Sequence, residues 1–92
     1  MIRGFRHKGL ADLYRNGNAA KIRPDLQGRI LRRLDALNNA ANLTDLNVPG
    51  FDFHPLRGFK PTRYSLHING PWCITFDWVD GDALRVDLEQ YH

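Results

Sequence analysis

The 92 residues of this sequence suffice for one domain and are too few for two. A hydrophobic fraction of 42% and a charged fraction of 25% are typical of a globular chain and exclude a disordered one. No apolar run approaches the roughly 18 residues of a membrane span, the first residues lack the apolar segment of a secretory signal, and a single cysteine forbids an intrachain disulfide. We therefore expect residues 1–92 to form one cytoplasmic domain with no membrane contact.

The basic charge is concentrated in the first third of the chain. Residues 1–33 carry nine Lys and Arg against two Asp and Glu, whereas residues 34–92 carry four against eight. Ten of the thirteen basic residues are arginines, and the planar guanidinium group binds phosphate or carboxylate in a bidentate manner. This excess favours a nucleic-acid or acidic-protein partner; the alternative is an ordinary solvated basic helix face.

Two amphipathic helices are predicted in the N-terminal half. After a short extended segment at residues 2–6, apolar residues at helical spacing predict a helix over residues 7–16, ended by Gly17. A second helix begins near Pro24, where Asp25 and Arg29 form an i,i+4 pair, and a further helical turn is expected within residues 40–46. The apolar side chains of the second helix form one stripe, and three arginines are expected to lie away from that stripe: Arg29, Arg32 and Arg33.

After Gly50 the apolar period changes to two, which predicts four antiparallel strands whose apolar face is covered by the helices and whose other face is open. Directly opposed residues share a face of a sheet, so the apolar residues of neighbouring strands must oppose one another. For the two middle strands this rule gives a register that pairs, from one end to the other, Arg63 with Asp77, Tyr64 with Phe76, Ser65 with Thr75, Leu66 with Ile74, His67 with Cys73 and Ile68 with Trp72.

The last hairpin offers two turns. A two-residue turn at Asp80-Gly81 would oppose Phe76 with Arg85, whereas a three-residue loop ending at Gly81 opposes Phe76 with Leu84. The three-residue loop, with Gly81 in the left-handed position of a bulge, is therefore predicted. It also places Ile74 opposite Val86.

The open face of the predicted sheet carries few groups that could perform chemistry. His67, Cys73 and Asp87 are of metal-ligand types, but no fourth ligand is apparent and their spacing is not that of a zinc site. A Cys–His nucleophile pair would lack an orienting third group, so a half-buried thiol beside a surface histidine is favoured. Arg63 and Asp77 are expected to form an exposed ion pair of little energetic value.

The segment from residue 54 to residue 63 differs from its surroundings. It combines His54, Arg57, Phe59 and Lys60 in or beside a loop rich in Gly and Pro. Loops on a rigid scaffold commonly carry function, and basic residues with aromatics suit single-stranded nucleic acid. If the fold brings His54 and the terminal His92 together, the two imidazoles make a general acid–base pair that needs no metal.

With these residues the chain resembles the HigB toxins of the RelE/ParE superfamily. The resemblance runs nearly end to end and is carried by the blocks HPLRG at residues 54–58 and WCITF at residues 72–76, and by the closing Tyr91-His92. It implies an α+β fold in which N-terminal helices pack on one face of a curved antiparallel sheet, similar to microbial ribonucleases.

The resemblance also implies a function. Such toxins enter the A site of the 30S ribosomal subunit and cut mRNA during translation by metal-independent acid–base chemistry without a cofactor. A HigA-like antitoxin with a helix-turn-helix neutralises the toxin and represses the operon. Two alternatives stay open: a ParE-like or weakened toxin that acts by binding a protein target, and a plain RNA-binding module.

Residue roles follow from the resemblance and from chemistry. The implied catalytic residues are His54, Tyr91 and His92, with Tyr91 orienting or stacking and the two histidines sharing the acid and base roles. Two positions depart from the family pattern, because Cys73 stands where an arginine is usual and Gln90 where an aspartate is common. The expected substrate-binding residues are Arg57, Lys60, His67, Cys73 and Gln90, and the expected ribosome-binding residues are Arg29, Arg32 and Arg33.

Overall fold

The protein, described by a computed structural model over residues 1–90, has helices on one side of an antiparallel sheet. This is the expected α+β architecture, with strand order β1-β2-β3-β4. Among the described residues, no helix is long and apolar enough to cross a membrane. In chain order the elements are α1 (Lys8–Asn16), α2 (Pro24–Asn39), a 3-10 helix (Leu43–Leu46), β1 (His54–Leu56), β2 (Arg63–Asn69), β3 (Trp72–Val79) and β4 (Asp82–Gln90).

Local signals determine where the two helices begin and end. His7 caps α1 because its Nδ1 accepts a hydrogen bond from the backbone N–H of Leu10 at 3.1 Å. Gly17 ends α1 in the left-handed conformation, with φ of 69°. Helix α2 begins at Pro24 as predicted, but Asp25 pairs with Arg23 at 2.8 Å instead of the predicted Arg29.

The hydrophobic core lies between the helices and the sheet. Fully buried leucine and isoleucine side chains of both helices meet Leu66, Ile74, Phe76 and Val86. The N-terminal segment extends the sheet beyond β4, because Ile2 bridges to Ala83 and Phe5 to Val86 in parallel. The sheet is thereby anchored at one side to the chain's first residues.

The predicted register of β2 and β3 is confirmed from Arg63–Asp77 through His67–Cys73. The predicted pair of Ile68 with Trp72 is wrong, because an irregularity after His67 brings Asn69 opposite Trp72. The extra residue is absorbed by a bulge. Ile68 nevertheless remains 3% exposed, in the core.

The predicted register of the β3–β4 hairpin is wrong. Val79 opposes Asp82, and both intervening residues, Asp80 and Gly81, have positive φ, as a two-residue type I′ turn requires. The two-residue turn was disfavoured because it would oppose Phe76 with Arg85 in regular strands. A bulge resolves this mismatch, because two consecutive residues of β4 oppose Phe76. One of the two is Arg85, in the left-handed region with φ of 49°.

The bulge changes which side chains of β4 face the core. Val86 and Ala83 are fully buried there, and Leu88 opposes Ile74. Leu84, predicted on the apolar face, instead opposes Asp77 on the other face of the sheet.

The face of the sheet opposite the helices is more buried than expected. Arg63, Ser65, Thr75 and Asp77 are each at most 4% exposed, so the expectation of an open polar face is wrong at its centre. The long Arg63 side chain lies over its neighbours and donates to Thr75 and Asp77. The predicted Arg63–Asp77 pair therefore exists, but it is buried.

Candidate active site

The face of the sheet opposite the helices, called the polar face below, is ordered in cross-strand rows. Because directly opposed residues share a face, the register aligns side chains from β1 to β4. The rows are His54–Ser65–Thr75–Asp87, Leu56–Arg63–Asp77–Leu84 and, across three strands, His67–Cys73–Glu89.

His54 begins β1 and is exposed at the edge of the polar face. Its Nδ1 lies 2.7 Å from the backbone carbonyl oxygen of Asp52, and Asp52 has a positive φ of 46°. A carbonyl oxygen only accepts hydrogen bonds, so this contact assigns the proton to Nδ1. In the neutral imidazole Nε2 is then the unprotonated nitrogen, ready to accept a proton.

The loop over residues 57–62 continues directly from β1. Arg57, Phe59 and Lys60 are all exposed, and Gly58 turns the backbone with φ of 86°. Among the described residues, neither Arg57 nor Lys60 has an ion-pair partner. Both cations therefore follow His54 within six residues of the chain, and no carboxylate of residues 1–90 neutralises them.

The central row of the polar face is a hydrogen-bonded network around Asp77. Arg63 donates through Nη1 to Asp77 Oδ1 and through Nη2 to Thr75 Oγ1, both at 2.9 Å. Arg85 donates through Nε to Asp77 Oδ2 at 2.6 Å. Burial alone would raise the pKa of Asp77, but the hydrogen bonds and charges of Arg85 and Arg63 outweigh it and lower that pKa.

Two polar groups beside this network, one buried and one partly buried, have less favourable surroundings. The Ser65 hydroxyl is buried and has no hydrogen-bond partner among residues 1–90. Burial, and then a hydrogen bond with Glu89, raise the pKa of Asp87. Sequence reasoning did not select Ser65, Thr75 or Arg85 as functional candidates; the signal for Ser65 and Thr75 was the register, which puts them in the row of His54.

The third row contains two of the predicted substrate-binding residues. The His67 ring donates from Nε2 to the Gly70 carbonyl oxygen at 3.0 Å, and Cys73 is 6% exposed. The predicted grouping of His67, Cys73 and Asp87 is wrong, because Cys73 faces Glu89 while Asp87 faces Thr75. Within residues 1–90 there is no group of three or more His, Cys, Asp or Glu side chains that could hold a metal ion.

The C-terminal candidates are Gln90, Tyr91 and His92. Gln90 opposes Trp72, whose ring packs against the core, so Gln90 lies in register with the helix-facing side of the sheet and not with the rows of the polar face. Tyr91 and His92 lie outside the described residues.

The three helix arginines are not equivalent. Arg29 and Arg32 are exposed, but Arg33 is buried, which corrects its predicted position. Burial, and then Arg32 and Arg29, lower the pKa of Arg33. Arg33 donates to the carbonyl oxygens of His67 at 2.6 Å, Arg29 at 3.0 Å and Gly50 at 3.3 Å.

Arg33 also stacks over the ring of Phe51, 4.6 Å from its centroid. It therefore fastens α2 to β2 and to the segment before β1. Sequence spacing carried a signal for this position, because Arg33 follows Leu26 by seven residues and so falls on the same face of the helix.

Two helices on one side of a four-stranded antiparallel sheet are the architecture of the RelE-like class of toxins. The family model of the HigB-like toxin, described as the RelE-like toxin of the type II toxin–antitoxin system HigB, matches residues 3–92. The chain belongs to this HigB-like family, which confirms the resemblance seen in the sequence.

Two curated relatives are similar over nearly their whole length. The chain is 35% identical to "Endoribonuclease HigB" of Proteus vulgaris over 92 residues, which is 100% of both chains. It is 29% identical to "Toxin HigB-1" of Vibrio cholerae serotype O1 over 89 residues, covering 95% of this chain and 94% of that relative.

Proposed function

We propose that this toxin is a metal-independent endoribonuclease that cuts mRNA in the A site of the ribosome and thereby stops translation. The name of the Proteus vulgaris relative supports ribonuclease activity. The observation that carries the proposal is the His54 imidazole: it is exposed, its Nδ1 carries the proton, so that Nε2 is the acceptor, and it is followed by Arg57 and Lys60, which form no ion pair within residues 1–90.

The chemistry needs a base, an acid and cations. In the proposed reaction His54 Nε2 removes the proton of the ribose 2′-OH. The O2′–P bond to the adjacent phosphate forms while the P–O5′ bond breaks, and the leaving 5′ oxygen receives a proton from an acid. The products are a 2′,3′-cyclic phosphate and a 5′-hydroxyl.

The remaining roles complete this scheme. His92 is the proposed acid, and Tyr91 orients or stacks, since a phenol pKa near 10 is too high for a base at neutral pH. Arg57 and Lys60 stabilise the charge that develops on the phosphorane. Substrate contacts by three further residues stay predictions: His67, Cys73 and Gln90.

The proposed partners are the 30S subunit, mRNA and a HigA-like helix-turn-helix antitoxin in the cytoplasm. Arg29 and Arg32 are the helix cations proposed to contact ribosomal RNA, because both are exposed. Arg33 is left out of this surface, since its guanidinium donates to backbone carbonyls within the protein.

The test is to induce the protein in cells and to map mRNA 5′ ends with and without active translation. The proposal expects new 5′ ends inside translated frames that disappear when initiation is blocked. Growth arrest without new ends would instead favour a toxin that binds a protein target, and RNA affinity without cleavage would favour a binding module.

The metal-independent step has its own test. Cleavage of ribosome-bound mRNA is expected to persist in the presence of a chelator selective for transition metals, with ribosome integrity verified. Loss of cleavage on intact ribosomes would contradict it.

A further inference from the structure

Arg85 occupies an unusual position for an arginine. It lies in the β4 bulge with φ of 49°, a conformation that L residues rarely adopt. Such a conformation is energetically unfavourable and persists only where surrounding contacts stabilise it. Its carbonyl oxygen accepts from Arg63 Nη2 at 3.1 Å, which fixes the bulge. The result is that the Arg85 guanidinium lies on the polar face, against Asp77.

Two guanidinium groups share the single Asp77 carboxylate, so the Arg63–Asp77–Arg85 cluster carries one excess positive charge. Arg63 is buried, with a side chain 2% exposed, whereas the Arg85 side chain is 54% exposed. The excess charge is therefore presented to solvent at Arg85. The Arg85 charge costs no desolvation energy, because its exposed guanidinium stays in contact with water.

The donors of Arg85 are only partly used. Among the described residues its guanidinium makes one hydrogen bond, from Nε to Asp77 Oδ2. Neither of its terminal nitrogens donates to an acceptor within residues 1–90. A guanidinium held through Nε, on a side chain that is 54% exposed, retains terminal N–H donors suited to a phosphate.

The position of Arg85 relative to His54 determines which phosphate it could reach. Asp77 lies in the row next to that of His54 and two strands away, which places their Cα atoms roughly 12 Å apart from ordinary strand spacings. This separation favours contact of the two side chains with different phosphates of one RNA strand. The Arg57–Lys60 loop follows Leu56, in the row of Asp77, so the unpaired cations lie toward the same end of the polar face.

We propose that Arg85 is a further RNA-binding residue, which holds a backbone phosphate neighbouring the one cut at His54. The proposal rests on the ribonuclease function proposed above. It assigns Arg85 to binding along the strand and not to the chemical step.

The test compares Arg85→Gln and Arg85→Lys with the control Arg23→Gln. Arg23 is a matched arginine: its side chain is 60% exposed and paired with Asp25, at the start of α2. Binding of a short single-stranded RNA with one 2′-deoxy nucleotide at the cut site is measured against salt, and single-turnover cleavage of ribosome-bound mRNA against protein concentration. Thermal unfolding verifies that each variant is folded.

Loss of one phosphate contact on a single strand lowers the slope of log K against log salt by about 0.7, which corresponds to roughly fourfold weaker binding at 0.15 M salt. Arg85→Gln is expected to show this loss with an unchanged maximal cleavage rate, Arg85→Lys to restore most of it, and Arg23→Gln to match wild type.

Equal slopes and affinities for Arg85→Gln and Arg23→Gln, with an active wild type, would overturn the proposal for Arg85 alone. A wild-type protein that cleaves no ribosome-bound mRNA would instead overturn the ribonuclease function on which the proposal rests.

Discussion

Replacement of Asp77 by Asn tests the energetic role of the buried network. The Asp77 carboxylate is the only described anion in contact with Arg63, whose side chain is 2% exposed, at 2.9 Å. Asn keeps one acceptor oxygen but removes the negative charge. The buried guanidinium of Arg63 would then lose its counter-charge while Arg85 remains beside it.

Breaking a buried ion pair by removing one partner costs about 3–5 kcal/mol, and the retained acceptor places Asp77→Asn near the lower end. A chain of 92 residues has a total stability of roughly 5–14 kcal/mol at 0.05–0.15 kcal/mol per residue. A loss of about 3 kcal/mol therefore lowers Tm by roughly 12–24 °C.

Thermal and urea unfolding at neutral pH measure the loss, and Asp25→Asn is the control. The control breaks an ion pair whose side chains are 60% and 53% exposed, so it is expected to cost at most about 1 kcal/mol. If Asp77→Asn cost no more than Asp25→Asn, the buried network would have no special energetic role.

The pH dependence adds an independent check. The pKa of Asp77 is lowered in the folded protein, so its contribution is fully present above the unfolded value, near 3.9, and is lost as the pH falls through the lowered folded value. Over that acid range the free energy of unfolding is expected to fall more steeply for wild type than for Asp77→Asn. The difference in stability between the two proteins therefore shrinks as the pH is lowered.

Four further variants each change a single residue. Arg33→Lys removes the planar fork that reaches three carbonyl oxygens and is expected to lower the free energy of unfolding by about 2 kcal/mol in urea; a neutral effect would contradict the anchoring role. Ser65→Ala removes a buried hydroxyl without a partner among the described residues and should leave Tm unchanged or raise it, whereas Thr75→Val removes an acceptor of Arg63 and should cost about 1–2 kcal/mol; the reverse order would refute this. Deletion of His92 should lower the single-turnover cleavage rate by about 10²–10⁴-fold with ribosome affinity kept; full activity would remove it from the reaction.

Much of the fold could be predicted because its signals are local or periodic. Helix α2 follows from Pro24 and one apolar stripe, and the register of β2 and β3 follows from matching apolar with apolar residues. The last hairpin could not be predicted this way, since the comparison of turns assumed regular strands. Arg85 at positive φ has no compositional signal, and its bulge is held by a contact with Arg63 from two strands away.

The site could be predicted less completely than the fold. His54, Arg57 and Lys60 were selected from chemistry and resemblance, and all three are exposed at one edge of the sheet. The burial of Arg63 and Asp77 depends on how a long side chain lies across neighbouring strands, which alternation does not encode. The tautomer of His54 depends on one backbone carbonyl, that of Asp52.

The most direct measurement of the central claim is single-turnover cleavage of ribosome-bound mRNA by wild type and His54→Gln, with the chemistry of the new ends determined. The account predicts that wild type leaves 2′,3′-cyclic phosphate and 5′-hydroxyl ends. His54→Gln should be folded, bind ribosomes normally and cut about 10²–10⁴-fold more slowly. An equal rate for His54→Gln, or ends that carry a 5′-phosphate, would contradict it.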